Sequence, residues 1–128
     1  MRKKQAARKI EHKTVLILRV GEQIALMRRP EKGLLSGLFE PYCLAGELHE
    51  KDVIAALTAQ DVSPLTVTPL GKAKHVFSHL EWHMVGFEVV LNEQDEDKLP
   101  RGLFLASRDE IDTVYALPSA YRAYRKYM

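Results

Sequence analysis

The sequence predicts a mixed α/β domain, and three observations carry the prediction. Apolar and β-branched runs of strand length alternate with turn residues over most of the chain. One central segment switches to helical spacing, and two helix-start signals lie near the C-terminal end. The 128 residues, 46% hydrophobic and 28% charged, suffice for one core without disulfides or structural metal.

The elements follow in order. Residues 1–12 lack hydrophobic periodicity and hold much of the basic charge, which predicts a linker or tail ahead of a domain spanning 13–128. Thr14 to Val20 is a β-branched and apolar run, Gly21 and Glu22 make a turn, and Gln23 to Arg28 continues as a second strand, so a hairpin is expected. Residues 29–38 contain Pro30, Gly33 and Gly37 and are expected as loop. Leu38 to Leu44 reads as extended, with Pro41 pointing to an edge or a bulge because proline cannot donate to a ladder. From Glu50, Val53, Ile54 and Leu57 take helical spacing behind Glu50 and Asp52, acids that suit a helix N-terminus, and a helix of about three turns is expected.

Leu65 to Val76 and Glu81 to Leu91 read as two long strands joined by a short turn at Ser78 and His79. Asn92 to Lys98 is an acidic loop and Leu103 to Ala106 a short strand. Ser107 with Glu110 three positions later is a capping-box arrangement for a short helix. Pro118 suits the first residue of a last helix that ends in Arg122, Arg125 and Lys126, cations favoured at a helix C-terminus. Tyr121, Tyr124 and Tyr127, spaced by three, read as its packing face. The predicted order is β-β-β-α-β-β-β-α-α.

The formal charge of +2 is unevenly placed. Residues 1–13 carry Arg2, Lys3, Lys4, Arg8, Lys9 and Lys13 against Glu11, and residues 121–128 add Arg122, Arg125 and Lys126, so the middle is acidic. Two stretches within it are locally basic, namely Arg28, Arg29 and Lys32, and Lys72 with Lys74. The single Cys43 excludes an internal disulfide and any cluster of cysteine ligands. The charged first residues show no secretory signal, and no apolar run approaches the roughly 20 residues of a membrane-spanning helix. A cytoplasmic protein without a membrane partner is expected, and a monomer because no long apolar seam is evident.

His75, His79 and His83 are spaced by four, which on a helix would make a metal face. Their neighbours Val76, Phe77, Val85 and Phe87 argue for strands, where an i, i+4 pair is roughly 13 Å apart. No metal site is therefore expected, and structural or phosphate-contacting roles are.

Four motifs in order carry a resemblance. Arg29-Pro30-Glu31-Lys32-Gly33-Leu34-Leu35-Ser36-Gly37-Leu38-Phe39-Glu40 resembles the "RP…GLLxGLWE" signature of the C-terminal domain of MutY-type adenine DNA glycosylases, with Phe39 where that family usually has Trp. Phe77-Ser78-His79 followed by Trp82 resembles its "FSH" loop, Leu117-Pro118-Ser119-Ala120 its terminal "LPSA", and the basic lead-in before Thr14 its interdomain linker. The resemblance implies a Nudix-like fold, a mixed β-sheet packed between helices. It also implies a role in reading 8-oxoguanine opposite adenine in duplex DNA while a separate N-terminal catalytic domain, carrying an iron-sulfur cluster, removes the adenine. Such a cluster calls for four ligands and this chain has one cysteine, so an isolated, non-catalytic recognition domain without a cofactor of its own is expected.

Active Nudix hydrolases carry a "REUxEExG" helix whose carboxylates hold magnesium. Laid along Ala55 to Val62, that motif places its carboxylates near Ala56, Ala59 and Gln60, none of which ionises. A functional Nudix box is not expected, and Glu47 and Glu50 upstream suit a helix N-terminal turn.

The resemblance makes Ser78 the base reader, flanked by Phe77 and His79. 8-Oxoguanine turns the N7 acceptor of guanine into an N7–H donor and adds an O8 acceptor, and a serine hydroxyl both accepts and donates. Phe77 is expected to stack or wedge beside the lesion and His79 to meet a phosphate. Lys72, Lys74 and His75, with Arg28, Arg29 and Lys32, are the candidates for the DNA backbone. Two other classes stay open: a degenerate Nudix hydrolase acting on an oxidised nucleotide such as 8-oxo-dGTP, and a protein-interaction module that docks the catalytic domain or a replication partner.

Overall fold

The computed structural model describes residues 8–128, so Arg2, Lys3 and Lys4 of the expected basic tail lie outside the described residues. Six strands, β1 (Lys9–Val20), β2 (Gln23–Arg28), β3 (Phe39–Ala45), β4 (Pro64–Val76), β5 (Leu80–Leu91) and β6 (Phe104–Ala106), form one mixed sheet in the order β4-β5-β1-β3-β2-β6. The helices are α1 (Glu50–Thr58) and α2 (Arg108–Thr113), with 3-10 helices at Glu93–Lys98 and Ser119–Tyr127.

Strand β1 organises the sheet because its alternate residues serve two cores. Val15 and Ile17 face a cluster with Trp82, Met84, Ile111, Tyr121 and Tyr124. Leu16, Leu18 and Val20 face the opposite cluster, with Val53 and Leu57 of α1, Phe87 and Val89. The sheet is thus sandwiched, α1 on one face and α2 with the C-terminal 3-10 helix on the other, as expected for a sheet that is apolar on both faces. Gly21, at φ +61°, begins the two-residue turn that joins β1 to β2, a backbone conformation such hairpins require.

Several elements differ from expectation for identifiable reasons. β1 starts at Lys9, inside the stretch expected as a tail, because Lys9 to His12 pair in parallel with Leu80 to His83. Their side chains stay exposed, so no apolar alternation betrays the strand. β3 is interior, not an edge. Pro41 is accommodated where the β1–β3 ladder, which runs from Lys13↔Ala45 to Leu16↔Tyr42, has ended. The acidic loop after β5 coils into a 3-10 turn capped by Asn92, whose side chain accepts from the Gln94 amide. The last helix is 3-10, with Pro118 as its N-cap. At three residues per turn, Tyr121, Tyr124 and Tyr127 fall on one line, which turns their spacing into a packing face. The Ser107–Glu110 capping box opens α2 as expected.

Candidate nucleic-acid interface

The β4–β5 hairpin ends in the tightest turn near the expected site. The Phe77 amide donates to the Leu80 carbonyl at 2.7 Å, leaving Ser78 and His79 as the two exposed residues of the tip. The His79 carbonyl accepts from the Lys9 amide at 3.2 Å, which ties the tip to the start of β1.

Strand alternation then divides the expected residues between two faces. Ala73, His75 and Phe77 lie on one face. The Phe77 ring meets His75 edge to face at 4.7 Å on one side and Trp82 at 5.0 Å on the other. Phe77 is therefore half-buried and braces the tip from within, while Ser78 and His79 face outwards. Lys72 and Lys74 project from the opposite face, in register with Val85 and His83. His75 and His83 also stand on opposite faces, and among the described residues no group of three or more His, Cys, Asp or Glu is placed to hold a metal ion.

Beneath Phe77, Trp82 is almost wholly buried and forms the hub of a charged cluster that sequence reasoning did not assemble. Its indole Nε1 donates to Glu11 at 3.2 Å, and Lys13 Nζ stands 3.6 Å from the ring centroid. Lys13 also donates to the Tyr121 hydroxyl at 3.0 Å, and that hydroxyl donates to Glu40. Arg29 completes the cluster with an ion pair to Glu40 at 2.8 Å and a position 5.5 Å from the Trp82 ring. Burial disfavours the Arg29 cation, but the hydrogen bond and charge of Glu40 outweigh it and raise its pKa further. A cavity of about 390 Å³ opens beside this cluster, between Lys13, Arg29, Trp82 and the end of β3.

The loop expected to supply phosphate contacts spends two of its cations internally. Arg29 Nε donates to the Leu34 carbonyl in addition to its pair with Glu40. Arg28 donates to the Gly37 carbonyl at 3.2 Å and pairs with Glu31 at 3.2 Å, whereas Lys32 is exposed. These bonds fold residues 29–38 upon themselves and place Leu35 against the core.

On the other face, α1 carries the segment where a magnesium-binding helix would stand. Ala56 lies within it, Ala59 is its C-cap, and Gln60 follows with its side chain on the Tyr42 hydroxyl at 3.2 Å. Glu47 is paired with Lys72, and Asp52 accepts from the His49 amide at the helix start. Two alanines and an amide do not fit a hard cation that needs carboxylate oxygens.

Residues 14–127 match the model of the NUDIX domain family. The C-terminal domain of mouse MUTYH, solved in complex with human PCNA, has a similar structure, with a TM-score of 0.69, 19% identity, and coverage of 91% of this chain and 86% of that one. The MutT protein of Methanosarcina mazei Go1 superposes with a TM-score of 0.63 at 12% identity, over 96% of this chain and 95% of that one. A NUDIX hydrolase from Nitrosomonas europaea gives 0.63 at 14% identity, over 93% and 88%. Likeness at these identities is likeness of fold. No curated protein matches the chain in sequence.

Proposed function

The chain belongs to the NUDIX domain family, and from that premise we propose that it is a DNA-lesion recognition domain that reads 8-oxoguanine opposite adenine and does no chemistry itself. The observation that carries the reading is the β4–β5 tip. Ser78 and His79 stand exposed on a hairpin braced by Phe77 and Trp82, a small polar reader held on rigid elements. Such a tip can present a hydroxyl to N7–H or O8 of the damaged base, while Lys72 and Lys74 add phosphate contacts without sequence preference. The helix argues against the hydrolytic alternative, because Ala56, Ala59 and Gln60 cannot hold magnesium.

In this reading the adenine is removed by a separate catalytic domain that holds an iron-sulfur cluster, and the recognition domain raises its specificity through tethered binding to one duplex. A second reading has its own support. The mouse domain of similar fold was solved with a protein partner, PCNA, and the loop between β2 and β3 exposes Leu34 and Leu38, side chains suited to protein contact.

The test is an NMR titration at low salt with duplexes containing 8-oxoguanine:adenine or guanine:adenine. Amide shifts centred on Ser78 and His79, larger for the oxidised duplex, are expected. Equal responses to both duplexes, or magnesium-dependent release of pyrophosphate from 8-oxo-dGTP, would overturn the reading. Indifference to all DNA together with binding to PCNA would favour the second.

A further inference from the structure

The face of the sheet that carries α1 ends, near the hairpin, in a basic hollow built by strand register. His12, His83 and Lys74 stand in one row across β1, β5 and β4, and Thr14, Val85 and Lys72 in the next. Residues paired across neighbouring strands project from the same face, so two imidazoles and two ammonium groups converge. The hollow measures about 430 Å³. The rings of His12 and His83 meet edge to face at 5.4 Å. Two carboxylates adjoin them, Glu81 at 3.1 Å from His83 Nε2 and Glu47 at 3.3 Å from Lys72 Nζ.

The backbone that carries Glu47 is held in place, while its side chain is exposed. The fully buried Thr14 hydroxyl donates to the Gly46 carbonyl at 2.7 Å and accepts from the Leu48 amide at 3.0 Å, clamping the chain on both sides of it. A carboxylate anchored by its backbone at the mouth of a hollow lined by two lysines and two histidines occupies the place an incoming anion would take.

We propose that this hollow seats a phosphate group on His12, Lys72, Lys74 and His83, and that Glu47 is the built-in competitor that a phosphate displaces from Lys72. The assignment of the phosphate to DNA rests on the function proposed above; the hollow itself does not. Lys74 precedes Ser78 by four residues, about 13 Å along an extended strand, or roughly four steps of 3.4 Å rise on a duplex. One duplex can therefore place a base at the tip and a backbone phosphate in the hollow.

The test follows the histidine ring signals of the whole chain during titration with inorganic phosphate. His12 and His83 are expected to shift and saturate, while His75, on the opposite face, does not. Lys74→Gln weakens this binding, and Glu47→Gln strengthens it about two- to fivefold, the range of one exposed ion pair. With guanine:adenine and 8-oxoguanine:adenine duplexes, Lys74→Gln lowers affinity by one common factor and reduces the slope of log affinity against log salt by about 0.9. Phosphate binding without any duplex effect supports the hollow and assigns it to free phosphate compounds. Unmoved His12 and His83 signals, or a Glu47→Gln variant of unchanged phosphate affinity, overturn the proposal even if the tip still prefers the oxidised duplex. Both substituted side chains are exposed, and an unchanged melting temperature confirms that each variant is folded.

Discussion

Arg29 and Glu40 close an ion pair at 2.8 Å between the loop after β2 and the start of β3, with side chains only 18% and 9% exposed. Glu40 also accepts from Tyr121, so one carboxylate joins that loop to the C-terminal 3-10 helix. Replacing Glu40 by Ala takes the counter-charge from a shielded guanidinium and the acceptor from a buried hydroxyl, although Arg29 keeps the Leu34 carbonyl and Tyr121 keeps Lys13. Breaking a shielded pair from one side costs about 3 kcal/mol. The expected result is a lower urea midpoint with an unchanged slope, and a loss within the scatter of surface substitutions would show that water reaches the pair.

Gly86 lies directly beneath Tyr124. A Cβ there would stand 2.3 Å from the ring, closer than any tolerated contact. The Tyr124 hydroxyl is meanwhile held by the Gly71 carbonyl at 3.0 Å, so the ring cannot slide aside without losing that bond. Gly86→Ala is expected to destabilise the fold by about 1–3 kcal/mol through overpacking. Combining it with Tyr124→Leu relieves the clash, and thermal melts of the two single variants and the double variant should show strong coupling.

Gly86 also shows where the sequence becomes opaque. Apolar and β-branched runs mark β2, β5 and the second half of β1, where Val15 to Leu18 and Trp82 to Leu91 feed two cores, whereas the first half of β1 carries no such signal. The parallel β1–β5 pairing is not legible, since it joins residues some 70 positions apart and depends on packing that no local pattern records. The hairpin tip at Ser78 and His79 is legible as a turn between two apolar runs. His12 and His83 are not legible as neighbours, because only that long-range register brings them together. Arg28 and Arg29 show the converse limit. Their charge is visible in the sequence, but their internal partners Glu31 and Glu40 follow from how the loop folds back.

Cys43 supplies a pH dependence. Its thiol is pushed up to about 11 by burial first, with Glu40 adding to the rise and Lys13 opposing it. A thiol that holds its proton more tightly when folded contributes stability that is complete below its ordinary value of about 8.5. That contribution is lost as pH climbs towards about 11, because the unfolded chain releases the proton first. Urea midpoints measured from neutral pH to about 11 should therefore fall more steeply for the wild type than for Cys43→Ala. Tyr121 and Tyr124 are raised as well, both first by burial and then by the charge of Cys43, so Cys43→Ala also relieves part of their shifts and flattens the variant's profile in the same direction. Alkylation of Cys43 at pH 8 should be slow in the folded chain, since the reactive thiolate is scarce.

Ser78 and His79 separate recognition of the base from attraction to the backbone. Both are exposed at the tip, so alanine at either position should leave stability within about 0.5 kcal/mol of the parent. Loss of a base-edge contact costs roughly 1–3 kcal/mol of discrimination. Ser78→Ala is accordingly expected to shrink the preference for 8-oxoguanine:adenine over guanine:adenine while altering affinity for the undamaged pair far less. His79→Ala, which removes a phosphate contact in this reading, should weaken both duplexes by the same factor and leave the preference intact. Fluorescence anisotropy at one fixed low salt concentration measures both effects. A Ser78→Ala variant with full preference would move base reading away from the tip, towards the cavity between Lys13, Arg29 and Trp82 on the same face as Phe77.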